Sequence, residues 1–140
     1  MSDSEDDAER FQCETLVEKK GGDRVLLSQG AAKEFWALEQ RQQARLLANM
    51  ELWVDGRQMM DNQFNGNEGW TKGTDKRMLK AFKVRKVRCY GFVAPLKGRK
   101  TFVIVDIDPA KKTEKGKPRV LDRAKARVVA FEEKYGANYE

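Results

Sequence analysis

Apolar and polar residues change their spacing several times along the chain, and each change marks an element. Phe11 to Lys20 alternates weakly, as an edge strand would, until Gly21-Gly22 breaks it, and Arg24 to Ser28 (RVLLS) is a short apolar run of strand character. Ser28 is placed as the N-cap of a helical region that Gly56 closes as a C′ glycine. Within it, Phe35, Trp36 and Leu38 form one apolar group, and Leu46, Leu47, Met50, Trp53 and Val54 form a second at helical spacing. The polar run Glu39-Gln40-Arg41-Gln42-Gln43 separates them, so the spacing predicts a helical hairpin broken near Gln40, its aromatics facing a core. Residues 55–76 have no period and read as a long loop or insertion.

After that loop the period becomes two. Leu79 to Val84 puts Phe82 and Val84 on one face and Lys83 and Arg85 on the other. From Val87 the phase slips by one residue, with Val87, Cys89 and Val93 on one side and Arg88, Tyr90 and Phe92 on the other; the slip predicts a tight turn or bulge at Arg85-Lys86. Pro95 to Lys100 reads as a turn, and Thr101 to Ile107 (TFVIVDI), almost wholly β-branched or aromatic, as the central strand. Pro109 ends it. A basic loop, Lys111 to Lys117, leads to Pro118 at the start of a last helix. Its stripe is Leu121, Ala124, Val128, Phe131 and Tyr135, and Gly136 closes it. The order predicts one α+β domain: a helical hairpin packed on a small antiparallel sheet, with a C-terminal helix.

Composition adds one exclusion. The 140 residues include no histidine, which removes histidine acid–base catalysis, Ser-His and Cys-His pairs and most zinc sites. Cys13 and Cys89 have no CxxC spacing and read as reduced thiols of a cytoplasmic protein. No apolar stretch is long enough to span a membrane, and no secretory leader is expected. Residues 1–22 read as an acidic tail, its first ten residues without stable structure and the rest a possible edge strand; 23–140 form the domain.

Charge changes the picture more. Residues 1–70 carry eight Lys and Arg against 14 acids, whereas residues 71–140 carry 20 against eight. Between 72 and 127 there are 19 basic residues and five acidic ones, a local net of +14. Such asymmetry points to a polyanionic partner, nucleic acid above all. Lys83, Arg85, Lys86 and Arg88 belong to the strands and their turn, and Arg99 and Lys100 to the next turn. Lys111, Lys112, Lys115 and Lys117 follow the central strand, and Arg119, Arg123 and Arg127 share a face of the last helix. A basic sheet face with Tyr90 and Phe92 close by suits a phosphate backbone and a stacked base. Cleavage of RNA by its own 2′-hydroxyl needs proton transfer and stabilisation of a phosphorane. Crowded cations lower a lysine pKa, arginines stabilise the transition-state charge, and Tyr90 exchanges a proton if the same field depresses its pKa. Asp106 and Asp108 read as strand caps or partners of the lysines, and no metal site or cofactor is expected.

The stretch from Leu79 to Lys134 resembles the RelE/HigB-type toxins of bacterial toxin–antitoxin systems, a group with phage-borne members. The likeness is carried by FKVRKVRCYGFV (Phe82 to Val93), TFVIVDI (Thr101 to Ile107), KKTEKGKP (Lys111 to Pro118) and LDRAKAR (Leu121 to Arg127). The helical pair at Ala31 to Val54 fits the same order, so the resemblance spans Arg24 to Tyr135. It implies a RelE-like, microbial-RNase-like fold and a metal-independent endoribonuclease, an mRNA interferase that inhibits translation by cutting mRNA on the ribosome. It also implies a cognate antitoxin protein. Arg85, Arg88, Lys111 and Lys112 match the family's catalytic basic residues, with Tyr90 beside them; Lys83, Lys86, Arg99, Lys100, Lys115, Lys117, Arg119 and Arg123 are the expected RNA-binding set. Two alternatives stay open: a ParE-like gyrase inhibitor without nuclease activity, and a plain nucleic-acid-binding module.

Overall fold

A computed structural model describes residues 3–73, 75–109 and 118–140. Its centre is a mixed sheet of six strands. In chain order the elements are α1 (Asp3–Arg10), β1 (Cys13–Glu18), β2 (Arg24–Ser28), α2 (Gln29–Trp36), α3 (Gln40–Val54), β3 (Phe64–Asn65), β4 (Lys80–Val84), β5 (Val87–Leu96), β6 (Arg99–Asp108) and α4 (Pro118–Tyr135). The strands lie in the order β1-β2-β6-β5-β4-β3. All neighbours are antiparallel except β2 and β6, which run parallel. The sheet is thus larger than expected and not purely antiparallel. Thr101 to Ile107 does occupy an inner strand, paired on both sides and buried throughout.

Two apolar clusters cover the two faces. Helices α2 and α3 pack Ala31, Phe35, Leu46 and Met50 on Val25, Leu27, Phe82, Cys89, Phe102 and Ile104. Helix α4 packs Ala124, Val128, Phe131 and Tyr135 on Leu26, Tyr90, Phe92, Val103 and Val105. The break between α2 and α3 has a polar cause. Gln43 donates to the carbonyls of Trp36 and Leu38, and Glu39 and Gln42 form a reciprocal capping box at the start of α3. Gly56, with φ of +69°, follows α3. Trp36 departs from the expected core position: it is 48 % exposed, and its indole N–H donates to Glu14 at 2.6 Å.

Three further departures have local causes. Residues 3–10 form a helix rather than an unstructured tail, because Ala8 and Phe11 join the cluster under α4 and Asp7 lies 4.0 Å from the buried guanidinium of Arg24. That guanidinium also donates to Thr101 Oγ1 and to the Leu96 carbonyl, both at 3.1 Å. The expected turn at Pro95 to Lys100 shrinks to Lys97-Gly98, with φ of +53° and +74°, since the strands pair up to Leu96 and Arg99. The loop at 55–76 contributes the short edge strand β3 and a bridge between Trp70 and Met78.

A bulge in β6 decides what the α4 face looks like. Tyr90 pairs with Asp106 but Gly91 pairs with Ile104, leaving Val105 as the extra residue. Strict alternation would place Asp106 with Phe102 and Ile104 toward α3. The extra residue reverses the phase, so Ile107 joins the α3 side and Asp106 turns toward α4. Gly91 permits the close approach: a Cβ there would lie 2.1 Å from the Val103 carbonyl oxygen.

Candidate nucleic-acid interface

On the α4 face, residues opposite one another across β4, β5 and β6 form two rows that carry the polar side chains. Lys83, Arg88 and Asp108 make the outer row; Ala81, Tyr90 and Asp106 make the inner one. The outer row adjoins the Arg85-Lys86 turn, where the phase slip was expected, and both turn residues are exposed. Arg85 has a left-handed φ of +51°. Arg88 holds this turn, its Nη1 donating to the Arg85 carbonyl at 3.0 Å, while the residue is only 6 % exposed. Its Nε has no hydrogen-bond partner among the described residues. Arg85 and Lys86 thus present their charges outward, and Arg88 braces them from inside.

The inner row is sealed. Tyr90 is fully buried beneath α4, and its hydroxyl has no partner among the described residues. Burial, aided by the charges of Glu68 and Asp108, pushes its pKa up, the opposite of what proton exchange near neutral pH requires. Asp106, also fully buried, accepts from Arg123 Nε at 2.8 Å and Nη2 at 3.1 Å, from Arg127 Nη1 at 2.8 Å and from the Ile107 amide. Among the described residues its side-chain partners are these two arginines of α4, and the lysines of the following loop lie outside the described residues. The hydrogen bond to Asp106 raises the Arg123 pKa and keeps that guanidinium charged. Arg119, one turn earlier, is exposed.

The expected site residues fall into separate groups. Lys83, Arg85, Lys86 and Arg88 come together at one end of the sheet. Arg99 and Lys100 lie at the other end of the β5–β6 hairpin, roughly 23 Å away at the usual strand rise. There Arg99 donates to the carbonyls of Gly22 and Lys19 and pairs with Glu18, while Lys100 lies 3.9 Å from Asp23 and over the Trp53 ring. These two tie the β1–β2 hairpin to the sheet. Lys111, Lys112, Lys115 and Lys117 lie outside the described residues.

One group escaped the sequence reading. In the loop before β4, Trp70 is 60 % exposed and lines an open hollow of about 540 Å³ with Thr71, Lys72 and Lys76. Its signal was an aromatic just before Lys72, Lys76 and Arg77 in an otherwise aperiodic, Gly- and Asn-rich segment. No helix of the described residues is long and apolar enough to cross a membrane. The fold and the charges define an α+β protein with a basic sheet end. No family model, curated protein or solved structure matches the chain.

Proposed function

We propose that the protein is a toxin of the RelE/HigB type that stops translation by cutting mRNA on the ribosome and is restrained by a cognate antitoxin. The observation that carries this reading is the placement of elements around the basic residues. After α1 and β1, a strand, a helical pair, the short edge strand β3, three antiparallel strands and a closing helix follow one another, with the helical pair alone on one face. Lys83, Arg85, Lys86 and Arg88 gather at the sheet end from which the chain leaves β6 for α4.

In the reaction this reading requires, a base takes the proton of a ribose 2′-hydroxyl and the oxygen attacks the adjacent phosphorus. The bond to the 5′-oxygen then breaks as that oxygen gains a proton. Arg85 and Lys86, exposed at the turn, hold the phosphate and stabilise the growing charge, and Arg88 positions them. Tyr90 takes no part while α4 covers it. Proton transfer then falls to lysines, for which Lys111 and Lys112 are the sequence's candidates.

The burial of Tyr90 favours a second reading, a nucleic-acid-binding module that holds RNA without cutting it. One experiment separates the two. In a cell-free translation reaction, primer extension should reveal new 5′ ends within the message, dependent on ribosomes and lost in Arg85→Ala/Lys86→Ala. Intact message with salt-sensitive RNA binding would support the module instead. Inhibited DNA supercoiling without any cleavage would point to the gyrase-directed alternative.

A further inference from the structure

Three tryptophans occur in the chain, and two have their rings in use. Trp36 meets Phe35 edge-on with centroids 4.9 Å apart and donates to Glu14. Trp53 packs edge-on against Phe82 and Phe102, with the Lys100 ammonium over its face. Trp70 differs: it is the most exposed of the three, and its ring meets no other aromatic ring among the described residues.

The loop nevertheless holds Trp70 in a fixed place. Glu68 N–H donates to the Leu79 carbonyl, Leu79 N–H to Gly69, and Thr71 N–H to Arg77. The buried Thr71 hydroxyl accepts from the Arg77 amide at 2.9 Å, and the Arg77 guanidinium is fastened to Glu132 of α4. An aromatic mounted on so many backbone bonds loses little freedom when a ligand covers it. Charge is sorted around it. Lys72 and Lys76 edge the hollow at Trp70, whereas Asp75, Glu132 and Glu133 line a separate recess beside Val129. The Lys125 side chain closes in against Gly69, where a Cβ would stand 2.7 Å from its Nζ. An exposed ring face among cations, set apart from the acids, matches an unpaired base with its phosphates on either side.

We propose that Trp70 is a stacking platform for one unpaired base of a single-stranded RNA, with Lys72 and Lys76 on the flanking phosphates. The proposal rests on the reading of the protein as RNA-directed and names a contact outside the sheet-end residues. It is tested by fluorescence anisotropy with a short fluorescein-labelled single-stranded RNA. Trp70→Ala should weaken binding about tenfold with the salt dependence unchanged. Trp70→Phe should restore most of the affinity, and Lys72→Ala/Lys76→Ala should flatten the salt dependence. Unchanged affinity in Trp70→Ala, with the wild type binding, overturns the platform and leaves the RNA-directed reading standing. An equal loss in the Ala and Phe variants, or an equal loss on duplex RNA, also overturns it. A wild-type protein that binds no RNA even at low salt sinks both.

Discussion

The two faces of the sheet are made from alternate residues of the same strands, yet they obey different rules. Toward α2 and α3 the strands offer Val25, Leu27, Phe82, Cys89, Phe102 and Ile104, and apolar packing dominates the fit, with one hydrogen bond from Asn49 to the Lys83 carbonyl. Toward α4 they offer Lys83, Arg88, Tyr90, Asp106 and Asp108 among the apolar residues. A buried charge is tolerable only when its hydrogen bonds are met, so this face needs Arg123 and Arg127 in place before α4 can close on it. The first face is a scaffold. The second is where a polar site can be built, at the cost of precise partners.

The bulge at Val105 brings the two aspartates to this second face, so removing its enabling glycine should have the largest effect. Gly91→Ala sets a Cβ against the Val103 carbonyl. The expected loss exceeds about 4 kcal/mol, a large share of the stability of a domain held by some 5–15 kcal/mol. A thermal melt by circular dichroism checks it, and a wild-type Tm would show that β5 and β6 can separate there at little cost.

Next comes the charge that the bulge exposes to α4. Asp106→Ala should cost about 3 kcal/mol in urea denaturation, the low end for a broken buried pair because both arginines keep contact with water. Arg85→Ala/Lys86→Ala, at an exposed turn, should stay within about 0.5 kcal/mol of wild type. The same double variant should reduce the salt slope of single-stranded RNA binding by about 1.4, two phosphate contacts' worth. Large destabilisation in the turn variant would make those residues structural and erase the contrast.

The smallest effect concerns pH. Burial pushes the Cys13 thiol up to about 12 from an ordinary value of 9.0, and it raises Cys89 and Tyr90 as well. These groups ionise more easily unfolded than folded. Their contribution is therefore fully present below about pH 9 and is lost as the pH rises through the folded values. Urea midpoints should be level from pH 7 to 8.5 and fall above it. Neither thiol should react with a disulfide reagent at pH 8 until the protein unfolds.

Periodicity exposed the elements that are amphipathic on their own. The break near Gln40, the close of α3 at Gly56, the turn at Arg85-Lys86 and the stripe of α4 all agree with the spacing of their apolar residues. It failed where a distant partner decides. Nothing near residues 3–10 announces that Arg24 and the α4 cluster will hold them as a helix. The phase of TFVIVDI could not reveal the bulge, because Val105 is apolar in either register. The site was legible as charge and not as geometry: composition marked the basic half, but Tyr90 is sealed beneath α4, and Arg99 fastens the β1–β2 hairpin to β6.

The proposed contact of RNA with the sheet end on the α4 side, against a scaffold face under α2 and α3, can be mapped residue by residue by nuclear magnetic resonance. Titrating the isotope-labelled protein with a short single-stranded RNA should shift the amides around Lys83, Arg85, Lys86 and Arg119, and those around Trp70, leaving Phe35, Leu46 and Met50 unmoved. Shifts confined to α2 and α3, or none at all at low salt, would contradict it.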